Sequence, residues 1–519
     1  MNSRSSAIRN TLFSSVGIYT EYLLGLLTSI LIARHLGPQI FGGYSLIIWM
    51  VSVGVTMTNA GTANAVIKFV AECRGGNREE LIQPLLAYLR RTQRMCLLLV
   101  LAVAALLSVF AGNRLAPGYD HLVLFGLLVV TISLRAPYMF NISLAKGFEN
   151  FRATATISLI ATPVNLAMVL AAWLMHAPAG GFLAVFAISS AVFFLASHRL
   201  TMHLAPPSPP GTQLPPELRR RIVRHMRFVA VTITIGFVAA SDVEVLFLNL
   251  FASPAAAGEF KVAFQLAIGA TLLLPGVLGA LLLPMMANAL SRGMSLAGRR
   301  FVAATTYLAL LAAPLVAFGG VFAGAVIGLL YGPSYAPAVP VLAFCLFGSA
   351  LGTVAQGASS LLVSADRQRN ILILVVVNGA IKLLLDFVLT VHYGLAGAVA
   401  ACVTANIFTA TAMITMATRV SGLQPDWSRL LRIVFAALLA ALVALPFRGL
   451  WGPLPTLLVG GTVLSLVYAL LTFALGCWSR GDIEHLQGLH RRFAAGRLPA
   501  VAWKGWRLNV RQGTACPAL

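Results

Sequence analysis

Apolar runs of bilayer length dominate this chain. A helix that crosses the hydrocarbon core needs roughly 20 apolar residues. About fourteen stretches meet that need, at 12–33, 44–70, 92–111, 122–145, 153–175, 181–198, 228–250, 260–287, 301–329, 338–364, 371–391, 395–418, 431–447 and 456–477. The thirteenth is cut short by Pro446 and Arg448. The expected fold class is therefore all-α and integral to a membrane, with about fourteen transmembrane helices. Only 10% of the 519 residues are charged, against about 25% in a soluble globular chain. The net charge of +22 would point to nucleic acid in a soluble protein. Here it reflects lysine and arginine collecting in loops that face the cytoplasm, so no nucleic-acid partner is expected. The six cysteines (Cys73, Cys96, Cys345, Cys402, Cys477, Cys516) show no CxxC or metal-ligand spacing, so neither a disulfide framework nor a zinc site is expected.

One polar stretch divides the apolar runs. It reads RLTMHLAPPSPPGTQLPPELRRRIVRHMR over residues 199–227. Six prolines between Pro206 and Pro216 exclude a continuous helix there, because each lacks an amide donor and has a fixed φ. Five arginines follow in Glu217–Arg227. This is a cytoplasmic connector between two membrane-embedded halves. With the N-terminus inside, and with Arg94 and Arg432 counted at the adjoining helix ends, the inside segments hold 30 of the 37 lysines and arginines, and only Arg34, Arg114 and Arg448 fall in or beside outside loops. That asymmetry sets the orientation and puts both termini in the cytoplasm, with the first span a retained signal-anchor. The tail beyond Ser479 is basic, with Ile483, Leu486, Leu489 and Phe493 three or four apart. It is either a helix lying on an anionic leaflet or a disordered basic tail.

The halves resemble each other at a shift of about 216 residues. Pro38 meets Pro254, Gly42 meets Gly258 and Tyr44 meets Phe260. VFAG at 109–112 recurs at 321–324, and Asn165 and Asn378 each precede a glycine, Gly180 and Gly394. Six helices per repeat give both halves the same orientation, so the expected arrangement is two pseudo-symmetric lobes around a central cavity. The expected domains are a six-helix lobe at 1–203, the linker at 204–227, a second lobe at 228–418, two extra helices at 419–478 and the tail at 479–519. Parallel repeats with a site at their interface are a transporter architecture.

Several segments carry a family resemblance: ARHLGPQIFGGYSLIIW (33–49), AVIKFVAE (65–72), AKGFENFRATATISLIATPVN (145–165), AGEFKVAFQLAIG (257–269), LYGPSYAPAVPVL (330–342) and YGLAGAVAACVTANI (393–407). Over about residues 7–420 the chain resembles the multidrug/oligosaccharidyl-lipid/polysaccharide (MOP) exporter superfamily, and most closely bacterial polysaccharide flippases of the Wzx type. The resemblance implies that an undecaprenyl-pyrophosphate-linked oligosaccharide crosses from the inner to the outer leaflet of the bacterial inner membrane by alternating access. It implies membrane lipids, a polysaccharide polymerase and other assembly proteins as partners. No cofactor is implied beyond coupling to an H⁺ or Na⁺ gradient or to the membrane potential.

Charges inside the spans are the candidate site residues, because a charge at mid-bilayer costs about 2.5–3.5 kcal/mol on insertion scales and faces a partner or a wet cavity. For an anionic lipid pyrophosphate the cationic candidates are Arg135 first, for its planar fork, then Lys68 and Lys261, with Arg34 at the outer mouth and Lys382. The alternative for Arg135 is a partner to helix-end carbonyls, and for Lys68 an i,i+4 pair with Glu72. Lys382 and Asp386 are also four apart and can satisfy each other. The ion-coupling candidates are Glu21, Asp242, Glu244 and Asp386. Glu21 has no basic neighbour in sequence, and Asp242 and Glu244 point opposite ways on one helix. The polar run TMTNAGTAN at 56–64 either lines the sugar path or packs tightly through its small residues.

Two other functions fit the same composition. A multidrug-type cation antiporter of the same superfamily would need a site for organic cations. A polysaccharide polymerase or glycosyltransferase would need a substantial outside loop with catalytic groups. Every outside loop here is short, and His121, His176 and His392 are isolated, so an enzyme is not expected.

Overall fold

In lipid a backbone amide has no water to bond, so a lone apolar segment satisfies itself only as a helix. The computed structural model describes residues 2–115, 120–240, 243–273, 276–449 and 452–478, and all regular structure among them is helical. In chain order the main helices are α1 (Asn2–Asn59), α2 (Thr62–Gly75), α3 (Ile82–Leu115), α4 (His121–Gly147), α5 (Phe151–Leu174), α6 (Ala179–Thr201) and α7 (Pro216–Ala240). They continue with α8 (Glu244–Phe251), α9 (Pro254–Leu273), α10 (Gly276–Ser291), α11 (Met294–Leu330), α12 (Ala338–Val354), α13 (Gln356–Ser364), α14 (Gln368–Ser421) and α15 (Trp427–Ala444). The last is Gly461–Ala474. Ten helical stretches among the described residues are long and apolar enough to cross a membrane.

Helix boundaries depart from the sequence expectation where glycine and proline act. The expected loop after residue 33 is absent. Helix α1 runs on through Pro38, turning only at Gly37, whose φ of 71° lies outside helical space. Glycine adopts that angle without a Cβ penalty, and proline suits the first turn of the helix that follows. Gly394, at φ 54°, makes the same kind of turn inside α14. The expected span at 44–70 is broken instead at Gly61, with φ 84°. The end of α7 and the short α8 lie in the expected span at 228–250, and α9 and α10 in that at 260–287; residues 241–242 and 274–275 of those spans lie outside the described residues. The basic tail lies outside the described residues.

The chain forms two compact units. The first comprises Met1–Gly269, Leu330–Cys345 and Leu372–Ala405. In it α1 lies along α5, and α4 packs on α6 and α2. One core of this unit joins α2, α3 and α4 to the start of α7 through Phe69, Ile82, Leu85, Phe140 and Ile222. The arginine-rich segment is therefore helical from Pro216, while Pro206–Pro215 stays non-helical. Leu218 and Ile222 are buried, and Arg221 makes a bidentate pair with Glu72 at 2.9 and 3.1 Å. The TMTNAGTAN run sits at the α1–α2 break. There Thr58 donates to the Gly54 carbonyl and Asn59 accepts from Gln93 at 2.8 Å.

The second unit comprises Ala270–Leu329, Leu346–Ile371 and Asn406–Leu519. Its core joins α11, α15 and the last helix through Phe322, Ile433, Ala440 and Leu464. The Tyr468 hydroxyl donates to the Leu310 carbonyl at 2.8 Å. Gly460 packs against the Phe322 ring, where a Cβ would overlap it.

Candidate functional site

Within the first unit a cavity of about 360 Å³ opens between the two halves of α1 and helices α4, α5, α6 and α9. Its size falls in the range of about 300–1,000 Å³ typical of ligand pockets. Two charged side chains line it, Arg135 and Lys261, and neither is acidic. Uncharged polar groups accompany them: Thr28, Ser29, Ser45, Asn165 and Gln265, with Tyr44. The rest of the wall is apolar, including Ile32, Phe182 and Phe186.

Arg135 sits mid-helix on α4 and is positioned by α6. Its Nε donates to Ser190 Oγ at 3.0 Å. Its guanidinium lies 4.4 Å from the Phe186 ring centroid and 5.5 Å from that of Phe193, where the ring faces attract a cation. Its two terminal nitrogens make no hydrogen bond to protein among the described residues, which leaves the planar fork available to a bidentate acceptor. Among the described residues no helix-end carbonyl accepts from it.

Lys261 comes from α9, the sequence repeat of the second half of α1. Hydrogen bonds through Gln265 tie helix α9 to α1. Ser29 Oγ donates to Gln265 Oε1 at 2.8 Å, and the Tyr22 hydroxyl donates to the Gln265 carbonyl at 3.1 Å. The fold thus brings together two cations that stand 126 positions apart in the chain.

The other sequence candidates lie elsewhere. Glu21 is exposed on α1 and accepts from Ser158 at 3.3 Å. It lacks a basic neighbour only in sequence, because in space it acts electrostatically on Arg135. Arg34 is exposed beside the Gly37 turn and does not line the cavity. Lys68 is exposed on α2, 5.4 Å over the Phe69 ring. Its expected pair with Glu72 does not form, since Glu72 is taken by Arg221 and Arg78. Lys382 is buried away from the cavity. It lies 2.7 Å from Glu244 and 3.5 Å from Asp386, so the i,i+4 pair is present and a third charge joins it. Asp242 lies outside the described residues.

Ser29, Asn165, Gln265 and Ser190 carry no charge, so charge within an apolar run does not mark them. Uncharged polar residues within apolar runs are the signal that marks them, and for Asn165 the repeat adds a second.

The residues at 7–290 match the family model described as polysaccharide biosynthesis protein. The chain belongs to that family. No curated protein sequence matches it significantly. Among solved structures it is similar to the lipid II flippase MurJ in an inward closed conformation, with a TM-score of 0.71 and 13% identity, over 89% of this chain and 98% of that one. It is also similar to an inward-facing multidrug resistance MATE transporter of the MOP superfamily, with a TM-score of 0.60 and 16% identity, over 79% of this chain and 98% of that one. A third is a MOP superfamily transporter from Pyrococcus furiosus, described as having a binding pocket of reversed polarity. Its TM-score is 0.53 and its identity 15%, over 80% of this chain and 96% of that one. The fold of the family member described here is that of MOP transporters, a multi-pass membrane architecture.

Proposed function

We propose that this protein is a flippase that moves an undecaprenyl-pyrophosphate-linked oligosaccharide from the cytoplasmic to the outer leaflet of the bacterial inner membrane. The observation that carries this is the charge of the cavity wall. Arg135 and Lys261 line it and no carboxylate among the described residues does. A pyrophosphate headgroup is anionic and offers oxygens to a guanidinium fork and an ammonium. An organic cation would meet like charge there, which disfavours the multidrug-antiporter alternative. Asn165, Gln265 and Ser29 are suited to sugar hydroxyls, and Phe186 to a sugar's apolar face. The lipid tail stays in the bilayer, since apolar chain gains nothing from a polar cavity.

Both termini lie in the cytoplasm on this reading, and alternating access comes from two lobes moving about the repeat axis. The membrane potential assists the headgroup's exit by about 2.3 kcal/mol per charge per 100 mV, so ion coupling adds to a gradient already favourable. The deciding experiment is flipping of a short undecaprenyl-pyrophosphate oligosaccharide in proteoliposomes, with and without imposed potential and pH gradients. Flipping by wild type that Arg135→Ala slows roughly ten- to a hundredfold supports the reading. Export of an organic cation with no lipid flipping overturns it.

A further inference from the structure

The second charged cluster of the first unit is separate from the cavity. Lys382 and Asp386 lie four apart on α14, and Glu244 opens α8. Glu244 and Asp386 are 0% exposed and Lys382 is 5% exposed. The ammonium lies 2.7 Å from one Glu244 oxygen and 3.5 Å from one Asp386 oxygen. Among the described residues one cation thus faces two carboxyl groups. If both were ionised, the cluster would bury one uncompensated negative charge, and an unpaired buried ion costs several kcal/mol.

Among the described residues the surroundings offer no second cation. The other titratable groups that face the cluster there are the thiols of Cys402 and Cys345. Asn378 stands four residues before Lys382, and Thr390 four after Asp386, both at least nine-tenths buried. Among the described residues Glu244 Oε2, Asp386 Oδ1, Asn378 Oδ1 and Thr390 Oγ1 have no hydrogen-bond partner. These are mainly acceptors short of a donor. A metal does not answer that need. The Lys382 ammonium already occupies the position between the carboxyl groups that a monovalent cation would take. Among the described residues no group of three or more histidine, cysteine, aspartate or glutamate side chains could hold a metal.

We infer that the Glu244–Lys382–Asp386 cluster is a proton-binding site, holding one exchangeable proton on its carboxyl pair while it is buried. The added proton makes the cluster neutral and supplies the missing donor. Wetting of the cluster removes the cost of the charge, and the proton then leaves to water. Lys382 holds the two carboxyl groups together and stays protonated throughout. A link between this proton and transport rests on the flippase reading. Proton occupancy itself does not.

Infrared difference spectroscopy of the full-length protein in lipid nanodiscs tests this at neutral pH, in H₂O and D₂O. Wild type minus Glu244→Gln should show one protonated-carboxyl C=O band that shifts in D₂O. Asp386→Asn should lose the same band, because either substitution leaves Lys382 with one carboxylate and a neutral cluster. Lys382→Gln should double the band, as two carboxyl groups then lack a cation. Circular dichroism and monodisperse elution establish that each variant folds. The wild-type spectrum alone, with and without NaCl at fixed pH, remains decisive if a variant does not. Persistence of the band in Glu244→Gln overturns the proposal, as does no protonated-carboxyl band in wild type or its loss on adding Na⁺. The band survives a failure of the flipping assay, so the two readings fall separately.

Discussion

Gly42 on the second half of α1 and Gly258 on α9 pack backbone against backbone. A Cβ on Gly42 would overlap the Pro254 carbonyl, and one on Gly258 would overlap the Pro38 carbonyl. The contact is reciprocal. Each glycine meets the proline four residues before its repeat counterpart, as a local twofold relation between the two copies of the motif requires. Small residues at such crossings let helices approach through their backbones, where dispersion and polar contacts replace the hydrophobic effect. This crossing also holds Lys261 on α9 beside the cavity.

Substituting either glycine should disturb that crossing. Gly42→Ala or Gly258→Ala should each destabilise the protein by about 1–3 kcal/mol, the usual cost of overpacking. The double variant should cost less than the sum, since the first substitution already separates the helices. Thermal unfolding in detergent reads both effects. Wild-type stability in the two single variants would show that the helices do not cross this closely.

Arg135 should matter through its fork as well as its charge. A hydrogen bond to a charged group is worth about 1.5–3 kcal/mol, so Arg135→Ala should reduce flipping roughly ten- to a hundredfold. Arg135→Lys keeps the charge but loses planar bidentate geometry, and should recover only part of the rate. Equal rates for lysine and arginine would mean that the fork is not used. Ser190→Ala should show a smaller loss, because it frees the guanidinium without removing it.

Helix α7 should be held to its neighbours by apolar contacts more than by its arginines. Ile222 is fully buried, and Ile222→Ala should cost about 2–5 kcal/mol. Arg221 is largely exposed, and Arg221→Ala should cost about 0.2–1 kcal/mol, less at high salt. A chemical-denaturation series at two ionic strengths separates them. The reverse ranking would make the Glu72–Arg221 pair the principal clamp.

The same docking should weaken in acid. The His225 ring meets Phe69 edge-on, at 5.6 Å between centroids, and its Nε2 is buried without a partner. Burial first, and then the charge of Lys68, hold its pKa below the ordinary 6.5. Above pH 6.5 the ring is neutral in both docked and released states. Below it the released state binds a proton first, so docking loses stability as pH falls through the docked-state value. Hydrogen-exchange protection over 216–227 should fall with pH after correction for intrinsic rates, and His225→Phe should remove the dependence. A flat profile for wild type would rule the ring out as the cause.

The membrane class, the all-helical fold and the repeat were legible in the sequence, because they follow from run length, backbone saturation in lipid and a recurring order of residues. Arg135 stood out for the same kind of reason, since a charge in a long apolar run is costly unless it has a use. The helix turns were less legible. Gly37 and Gly394 turn the chain with one positive φ each, whereas a composition-based boundary expects a polar loop. What the tertiary structure alone decided is which charges meet. Glu244 and Lys382 stand 138 positions apart in the chain, yet their charged atoms lie 2.7 Å apart. Lys68 and Glu72 had the right spacing for a pair, and Glu72 went to Arg221. Sequence spacing fixes neighbours only along one helix. Partners on different helices depend on how the helices cross, and that is set by packing contacts such as Gly42 against Pro254, in which no charge takes part.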